Sequence, residues 1–131
     1  MRKDIKIPKV KDVYVAAVLE LNEDFNTHDW NVYLINDGRE AIETVLIVAQ
    51  GYDELDMTSP MRKTIKMVPA NGYAKIEFID ESVFKLDNFF SITYFIDETM
   101  YDKRYELPRY SIVADNAVDL PVLLKKGILA R

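Results

Sequence analysis

The sequence contains no cysteine and a single histidine, His28, among its 131 residues. Without cysteine, the chain cannot form disulfides, zinc–thiolate sites, cysteine-ligated iron–sulfur clusters or thiol nucleophiles. A Ser-His-Asp arrangement would have to use His28, which lies in the polar segment 26–29 and is predicted to be a solvated loop residue. The chain has no Gly-x-Ser-x-Gly elbow, and its four scattered glycines form no phosphate-binding loop. The sequence therefore predicts neither a catalytic site nor a cofactor.

Long apolar runs and an excess of basic charge are also missing. No segment approaches the run of about 18 apolar residues that a membrane-spanning helix needs. The first residues carry the positive charge of a signal peptide but no apolar stretch follows them, so we expect a cytoplasmic protein if Met1 is the true start. The net charge of −5, with both signs mixed along the chain, argues against nucleic acid as a partner.

The one local bias is a basic N-terminus. Its cationic residues are Arg2, Lys3, Lys6, Lys9 and Lys11. The simplest interpretation is a solvated, frayed segment over residues 1–10, and the alternative is a contact with an anionic partner.

The composition is that of one ordinary globular domain spanning residues 1–131. Hydrophobic residues make up 49% of the chain, enough for a core without covalent staples. The glycines and most of the five prolines fall between short runs rich in Val, Ile, Tyr and Phe, which are typical of strands.

Apolar alternation predicts seven strands and favours an eighth near residues 127–129. The seven cover residues 13–21, 30–36, 41–52, 62–68, 73–79, 89–96 and 100–107. The chain has no room for the long helices of a parallel βαβ fold. We therefore predict an all-β protein, an antiparallel immunoglobulin-like β-sandwich of seven to eight strands.

Two segments could be helical. Residues 81–87 are predicted to form one turn that covers an open end of the sandwich. Residues 117–126 could form a short helix, although Pro121 and the β-branched residues favour extended structure there.

Residues 30–51 are the most informative stretch of the sequence. They contain an alternating strand, the turn Asn36-Asp37-Gly38 and a second apolar strand, which together predict an antiparallel hairpin at the centre of the sandwich. Within the second strand, residues 45–49 are apolar at both parities. Either the domain covers both faces of that strand, or a partner covers the outer one.

The pattern Trp30-x-Val-Tyr-Leu-Ile-Asn36-Asp-Gly38, a return strand, and residues 62–79 around Pro69-x-x-Gly72 carry a resemblance. Over residues 13–107 the chain resembles the B-to-F region of immunoglobulin-like bacterial modules, which often have a strand ending in Asn before a Gly turn. The opening Ile7-Pro8-Lys-Val-Lys-Asp-Val13 is also similar to a family of short uncharacterised bacterial proteins. These resemblances imply a bacterial sandwich module without a known activity.

Acidic residues gather in three loops, at positions 53–56, 80–81 and 97–98 with Asp102. None has the spacing of an EF-hand loop, so we predict solvated or turn-capping carboxylates and no metal site. Calcium bound jointly by converging loops is an alternative. A pair of carboxylates for glycoside cleavage is a weaker alternative still.

The seventh strand offers the only candidate binding residues. Tyr101, Lys103 and Tyr105 share a face with Leu107, and the opposite face is largely charged. One interpretation is that this face points inward and Lys103 protects a sheet edge from pairing with another chain. The other is an exposed stripe of Tyr101, Lys103 and Tyr105 that binds a peptide or a sugar.

Taken together, the sequence predicts a non-catalytic protein-interaction or scaffold module with a protein partner or self-association. One alternative is a carbohydrate-binding or adhesive module of an exported protein. Another is a hydrolase that uses His28 or two carboxylates. The loop between Met57 and Met61 is predicted to connect the sheets, with partner binding as its alternative role.

Overall fold

The computed structural model describes residues 8–131 and contains two antiparallel sheets packed face to face. Residues 1–7, most of the predicted basic terminus, lie outside the described part. The described strands are β1 (Val13–Asn22), β2 (Thr27–Asn36), β3 (Ile42–Tyr52), β4 (Met61–Val68), β5 (Gly72–Ile79), β6 (Asp87–Ile96), β7 (Thr99–Leu107), β8 (Val118–Asp119) and β9 (Lys126–Leu129). Two 3₁₀ turns, Glu81–Val83 and Ala114–Asn116, are the helical elements of this region.

One sheet has the strand order β5-β2-β1-β9-β8 and the other has the order β4-β3-β6-β7. The predicted all-β antiparallel sandwich is confirmed. Its seven long strands are those expected from the sequence, and the terminal strand is β9. The fourth strand pairs with the third, whereas the fourth strand of a constant-type immunoglobulin domain joins the opposite sheet.

The core between the sheets is filled by the inward positions of each strand. β1 contributes Val13, Val15 and Ala17, and β2 contributes Val32 and Leu34. The largest fully buried side chains come from the opposite sheet: Tyr94, Tyr105 and Phe90. Aromatic side chains of this size are needed to span the roughly 10 Å between two packed sheets.

The predicted hairpin over residues 30–51 is wrong. β2 lies between β1 and β5, while β3 lies between β4 and β6 in the other sheet. Residues 37–41 therefore carry the chain from one sheet to the other, and the two strands do not pair. An alternating strand, a glycine turn and a second strand look the same in sequence whether the strands pair or face each other across a core.

Asn36 holds this crossing in place. Its side-chain Nδ2 donates to the carbonyl oxygens of Glu40, Val68 and Pro69 at 2.9, 3.3 and 3.1 Å. Its Oδ1 accepts the Gly38 N–H at 3.0 Å. One buried amide thus ties the end of β2 to the β3 approach and to the end of β4.

β3 has apolar residues at both its inward and its outward positions, and the structure shows what covers each face. Val45, Ile47 and Ala49 point into the core, and Leu46 and Val48 lie on the outer face. Leu46 is 44% exposed and Val48 is half-buried. The strand is central within its sheet, and its outer face stays accessible to solvent.

A β-bulge between Val32 and Tyr33 changes the predicted alternation of β5. Regular alternation along residues 73–79 would place Ile76 and Phe78 on one face, but Ile76 is buried and Phe78 is exposed on the outside. Glu77 instead lies opposite buried Val32 and is half-buried. A shift of one residue exchanges the two faces of a strand, and sequence periodicity does not reveal where the shift occurs.

The half-buried position of Glu77 has a consequence for stability. Burial raises the pKa of Glu77, and the nearby Lys63 offsets only part of that effect. Because the pKa of Glu77 is higher in the folded state than in the unfolded state, ionisation of its carboxyl costs more in the folded protein. The stability of the wild type therefore falls as pH rises through the folded-state pKa. We expect Glu77→Gln to raise the free energy of unfolding at pH 7 by about 1 kcal/mol or less. Urea denaturation at pH 7 and pH 3 tests this, and a gain that persists at pH 3 would contradict it.

The outer face of β1 and β2 carries a second, smaller core. Ala16, Val18 and Ile35 are covered there by Leu120 from the segment after β8. The possible helix over residues 117–126 is therefore absent, and an extended segment with a turn packs on the sheet instead. The single turn predicted in residues 81–87 is confirmed at Glu81–Val83, capped by the side chain of Asp80.

Candidate functional site

The β1–β2 hairpin continues past the end of the sandwich. β5 pairs with β2 only from Trp30 onward, and β9 meets β1 only at Ala16 and Ala17. Leu21 lies beyond these pairings at an inward position of β1, and it is 52% exposed. Phe25 at the hairpin tip is 76% exposed. Apolar side chains of the kind that the rest of β1 buries in the core are therefore accessible to solvent in the projecting part of the hairpin.

A groove of about 1500 Å³ follows this projecting hairpin, and we call it the hairpin groove. It is open to solvent and is larger than the roughly 300–1000 Å³ of a typical small-molecule pocket. On one side its lining includes Leu19, Leu21, Trp30, Ala114 and Ala117. It is therefore an open surface feature and not an enclosed cavity.

The outer face of the same hairpin supplies the polar part of the lining, a hydrogen-bonded floor centred on Glu20. Glu20 Oε1 accepts Asn31 Nδ2 at 2.8 Å and the Tyr33 hydroxyl at 2.6 Å. Glu20 Oε2 pairs with the Lys125 ammonium, which approaches from the segment before β9. Cross-strand alternation places Glu20, Asn31 and Tyr33 on the same outer face of β1 and β2.

The protonation states of the floor follow from these contacts. Burial alone would raise the pKa of Glu20, but hydrogen bonds from Lys125, Tyr33 and Asn31 outweigh it and hold that pKa below its usual value. Burial and the hydrogen bond to Glu20 raise the pKa of Tyr33. At neutral pH Glu20 is thus a carboxylate and Tyr33 a neutral donor. Such a pair is suited to fixing polar groups and poorly suited to exchanging protons near pH 7.

Three side chains of β5 form the rim of the polar side. Tyr73, Lys75 and Phe78 are all exposed on the outer face. The Tyr73 ring meets the Tyr33 ring edge-on, with centroids 5.8 Å apart. Phe78 stands opposite Asn31 in the β2–β5 register. The floor is therefore bordered by aromatic rings and a cation.

The residues predicted from the sequence, Tyr101, Lys103 and Tyr105, lie together on the inward face of β7, an edge strand. Tyr105 is 1% exposed and its hydroxyl donates to the Val13 carbonyl at 2.6 Å. Tyr101 stacks on Tyr94 with ring centroids 5.1 Å apart. The exposed three-residue stripe does not form, because Tyr105 is part of the core. The arrangement matches the edge-lysine interpretation, with the Lys103 ammonium 4.7 Å from the Tyr105 ring centroid.

His28 lies in β2, opposite Leu21, and not in a loop as predicted. The connection between the first two strands is shorter than their predicted bounds imply, because both strands extend toward the tip. His28 is exposed and is not part of the hairpin groove lining. The groove thus receives no imidazole.

The acidic loops serve local structure. Asp53 Oδ1 accepts the N–H groups of Leu55 and Asp56 at 2.7 and 2.6 Å. Arg109 bridges Glu54 and Asp87, at 3.2 Å in each case. Within residues 8–131, no three His, Asp or Glu side chains are grouped so that they could hold a metal ion.

The groove residues were missed by sequence reasoning because they are distant in the chain. Glu20 and Lys125 are 105 positions apart and meet only through the packing of β9 against β1. Asn31 and Tyr33 could have indicated the groove from the sequence, because these polar residues at outward positions interrupt an otherwise apolar strand.

The fold and the hairpin groove together define an all-β sandwich with an open surface groove. Comparison with protein-family models, with curated proteins and with solved structures found no match. The resemblance to bacterial modules therefore stays a prediction. In the described residues, no helix has the length and apolar character to span a membrane.

Proposed function

We propose that this protein is a non-catalytic binding module that takes a segment of a partner protein into the hairpin groove. The observation that carries the proposal is the open groove beside large apolar side chains that the fold leaves uncovered, Leu19, Leu21 and Phe25. Exposed apolar side chains grouped at one place typically mark interaction sites.

The apolar side of the groove supports the affinity of such a contact. Full burial of a leucine or phenylalanine side chain contributes roughly 1.5–3 kcal/mol. Leu19 and Leu21 are held by the cross-strand pairing of the hairpin, and Phe25 lies in its turn. Covering them needs no change in the strand pairing. They therefore act as anchors for apolar residues of the partner.

The polar side supports specificity. Glu20, Asn31 and Tyr33 are held in one orientation by their mutual hydrogen bonds. Groups preorganised in this way position a ligand at low entropic cost.

Selection from a displayed peptide library, followed by titration of the chosen peptides, tests the proposal. We expect the peptides to bind at least tenfold more weakly to Leu21→Ser, because a leucine anchor contributes about 1.4 kcal/mol or more. Leu124→Ser is the matched control, since Leu124 is more exposed than Leu21 and lies outside the groove lining. Peptides that bind Leu21→Ser as tightly as the wild type would refute the groove as the site.

The aromatic rim supports a second candidate, an oligosaccharide. Tyr73 and Phe78 border hydrogen-bonding side chains, as sugar recognition requires. A glycan array probed with the wild type, Leu21→Ser and Phe78→Ala distinguishes the two candidate ligands. Glycan binding that is lost in Phe78→Ala but kept in Leu21→Ser would favour a sugar over a peptide as the ligand of the groove.

A further inference from the structure

β4 is an edge strand with one free side. It pairs only with β3, from Ile42↔Val68 to Ala49↔Met61. In an antiparallel pair, about half of the backbone N–H and C=O groups of an edge strand point away from its neighbour. Among the described residues, no further hydrogen bond reaches the backbone of β4 between Met61 and Met67. Its outward backbone groups are thus available to another strand.

The other long edges are partly occupied. Arg131 exchanges two backbone hydrogen bonds of 2.9 Å with Glu106 on β7. On β5, the carbonyls of Lys75 and Ile76 accept the Lys63 ammonium at 3.1 and 3.3 Å. β4 is therefore the long edge that the described fold leaves open.

The charge of β4 restricts what can pair with it. The strand carries Arg62, Lys63 and Lys66 and no acidic residue, in a chain with a net charge of −5. Lys63 is committed to the carbonyls of β5, whereas Arg62 and Lys66 are exposed on the outer face of the sheet. Two carboxylates lie near this strand. Glu43 on β3 is opposite Met67, and Glu77 is close enough to Lys63 for that cation to lower its pKa, although burial raises the pKa by more.

Two copies of this edge are poor partners for each other, because pairing would bring their cations together. An acidic strand would instead be attracted to the cations of β4. Arg62 and Thr64 lie opposite the outer residues Val48 and Leu46, and Lys66 is exposed two positions further along. Carboxylates at alternate positions of an added strand would therefore lie beside both cations.

We propose that the free edge of β4 binds an extended acidic segment of another protein by β-strand addition. Backbone hydrogen bonds to the outward groups of β4 supply the pairing, and Arg62 and Lys66 select an acidic sequence. This surface is separate from the hairpin groove, which lies on the other sheet.

The probe is a fluorescein-labelled nonapeptide of alternating valine and glutamate, and the matched probe alternates valine and lysine. Fluorescence anisotropy should show saturable binding of the acidic peptide that weakens as salt is raised. The double variant Arg62→Glu/Lys66→Glu should bind it at least tenfold more weakly. Lys103→Glu/Arg104→Glu makes the same charge change on the opposite edge of the same sheet and should leave binding unchanged.

Amide hydrogen exchange distinguishes strand addition from a loose electrostatic contact. Bound acidic peptide should slow exchange at alternate residues between Arg62 and Met67, and circular dichroism confirms that each variant is folded. No saturable binding, equal binding of the lysine peptide, or binding without protection of β4 would overturn the proposal. Leu21→Ser should bind the acidic peptide like the wild type, so failure of one site is separable from failure of the other.

Discussion

Asn36→Asp is expected to lower the free energy of unfolding at pH 7 by about 3 kcal/mol or more. Asn36 is 1% exposed, and its Nδ2 donates to three carbonyl oxygens. Aspartate would replace that donor with a carboxylate oxygen facing the same three acceptors. Leaving buried polar groups unpaired costs about 1–3 kcal/mol, and a charged group costs more. The connection between β2 and β3 should therefore be the first part of the structure to fail.

The pH dependence makes this prediction specific. Burial among carbonyls should raise the pKa of the new carboxyl, so the variant should recover stability as pH falls and the protonated group donates again. Urea denaturation at pH 7 and pH 4 measures the recovery. Asn71→Asp is the control, because Asn71 is an exposed turn residue. A loss below about 1 kcal/mol at pH 7 would mean that Asn36 does not hold the crossing.

Tyr105→Ala is expected to cost about 3–5 kcal/mol, the usual range for removing a large buried aromatic side chain. Tyr105 lies on β7 in one sheet, and its hydroxyl bonds to the Val13 carbonyl on β1 in the other. The substitution removes both the ring packing and a hydrogen bond between the sheets. Tyr105→Phe keeps the ring and should cost only about 1–2 kcal/mol.

Chemical denaturation of the two Tyr105 variants separates the packing contribution from that of the hydroxyl. Tyr110→Ala serves as the reference, because Tyr110 is exposed and its removal should change stability little. A Tyr105→Ala variant as stable as Tyr110→Ala would contradict the placement of Tyr105 in the core and reopen the exposed-stripe interpretation.

The faces of the strands could largely be predicted from the sequence. On β7, alternation grouped Tyr101, Lys103 and Tyr105, and the structure places them on one face. The prediction failed at β5, where the bulge at Val32/Tyr33 moves Phe78 outward and brings Glu77 toward the core. A bulge depends on how two strands align, and the sequence of one strand does not record that alignment.

The candidate site was beyond sequence reasoning for a different reason. Leu19 and Leu21 continue the apolar alternation of β1 and are indistinguishable from core residues in sequence. Their exposure is a property of the projecting hairpin: Leu19 lies opposite Trp30, where the pairing with β5 ends, and Leu21 lies beyond it. Likewise, Lys125 meets Glu20 only after the segment following β8 has packed on the sheet.

The all-β class, the position of each long strand and the face of most side chains follow from the amino-acid sequence alone, because strand periodicity is a local property of a few residues. Which strands share a sheet, where the sandwich ends and which edge stays open depend on hydrogen bonds between distant residues, so they become visible only in the folded protein. The bonds from Asn36 to Val68 and Pro69 are the clearest case. They show that the apparent hairpin of residues 30–51 is a crossing between two sheets.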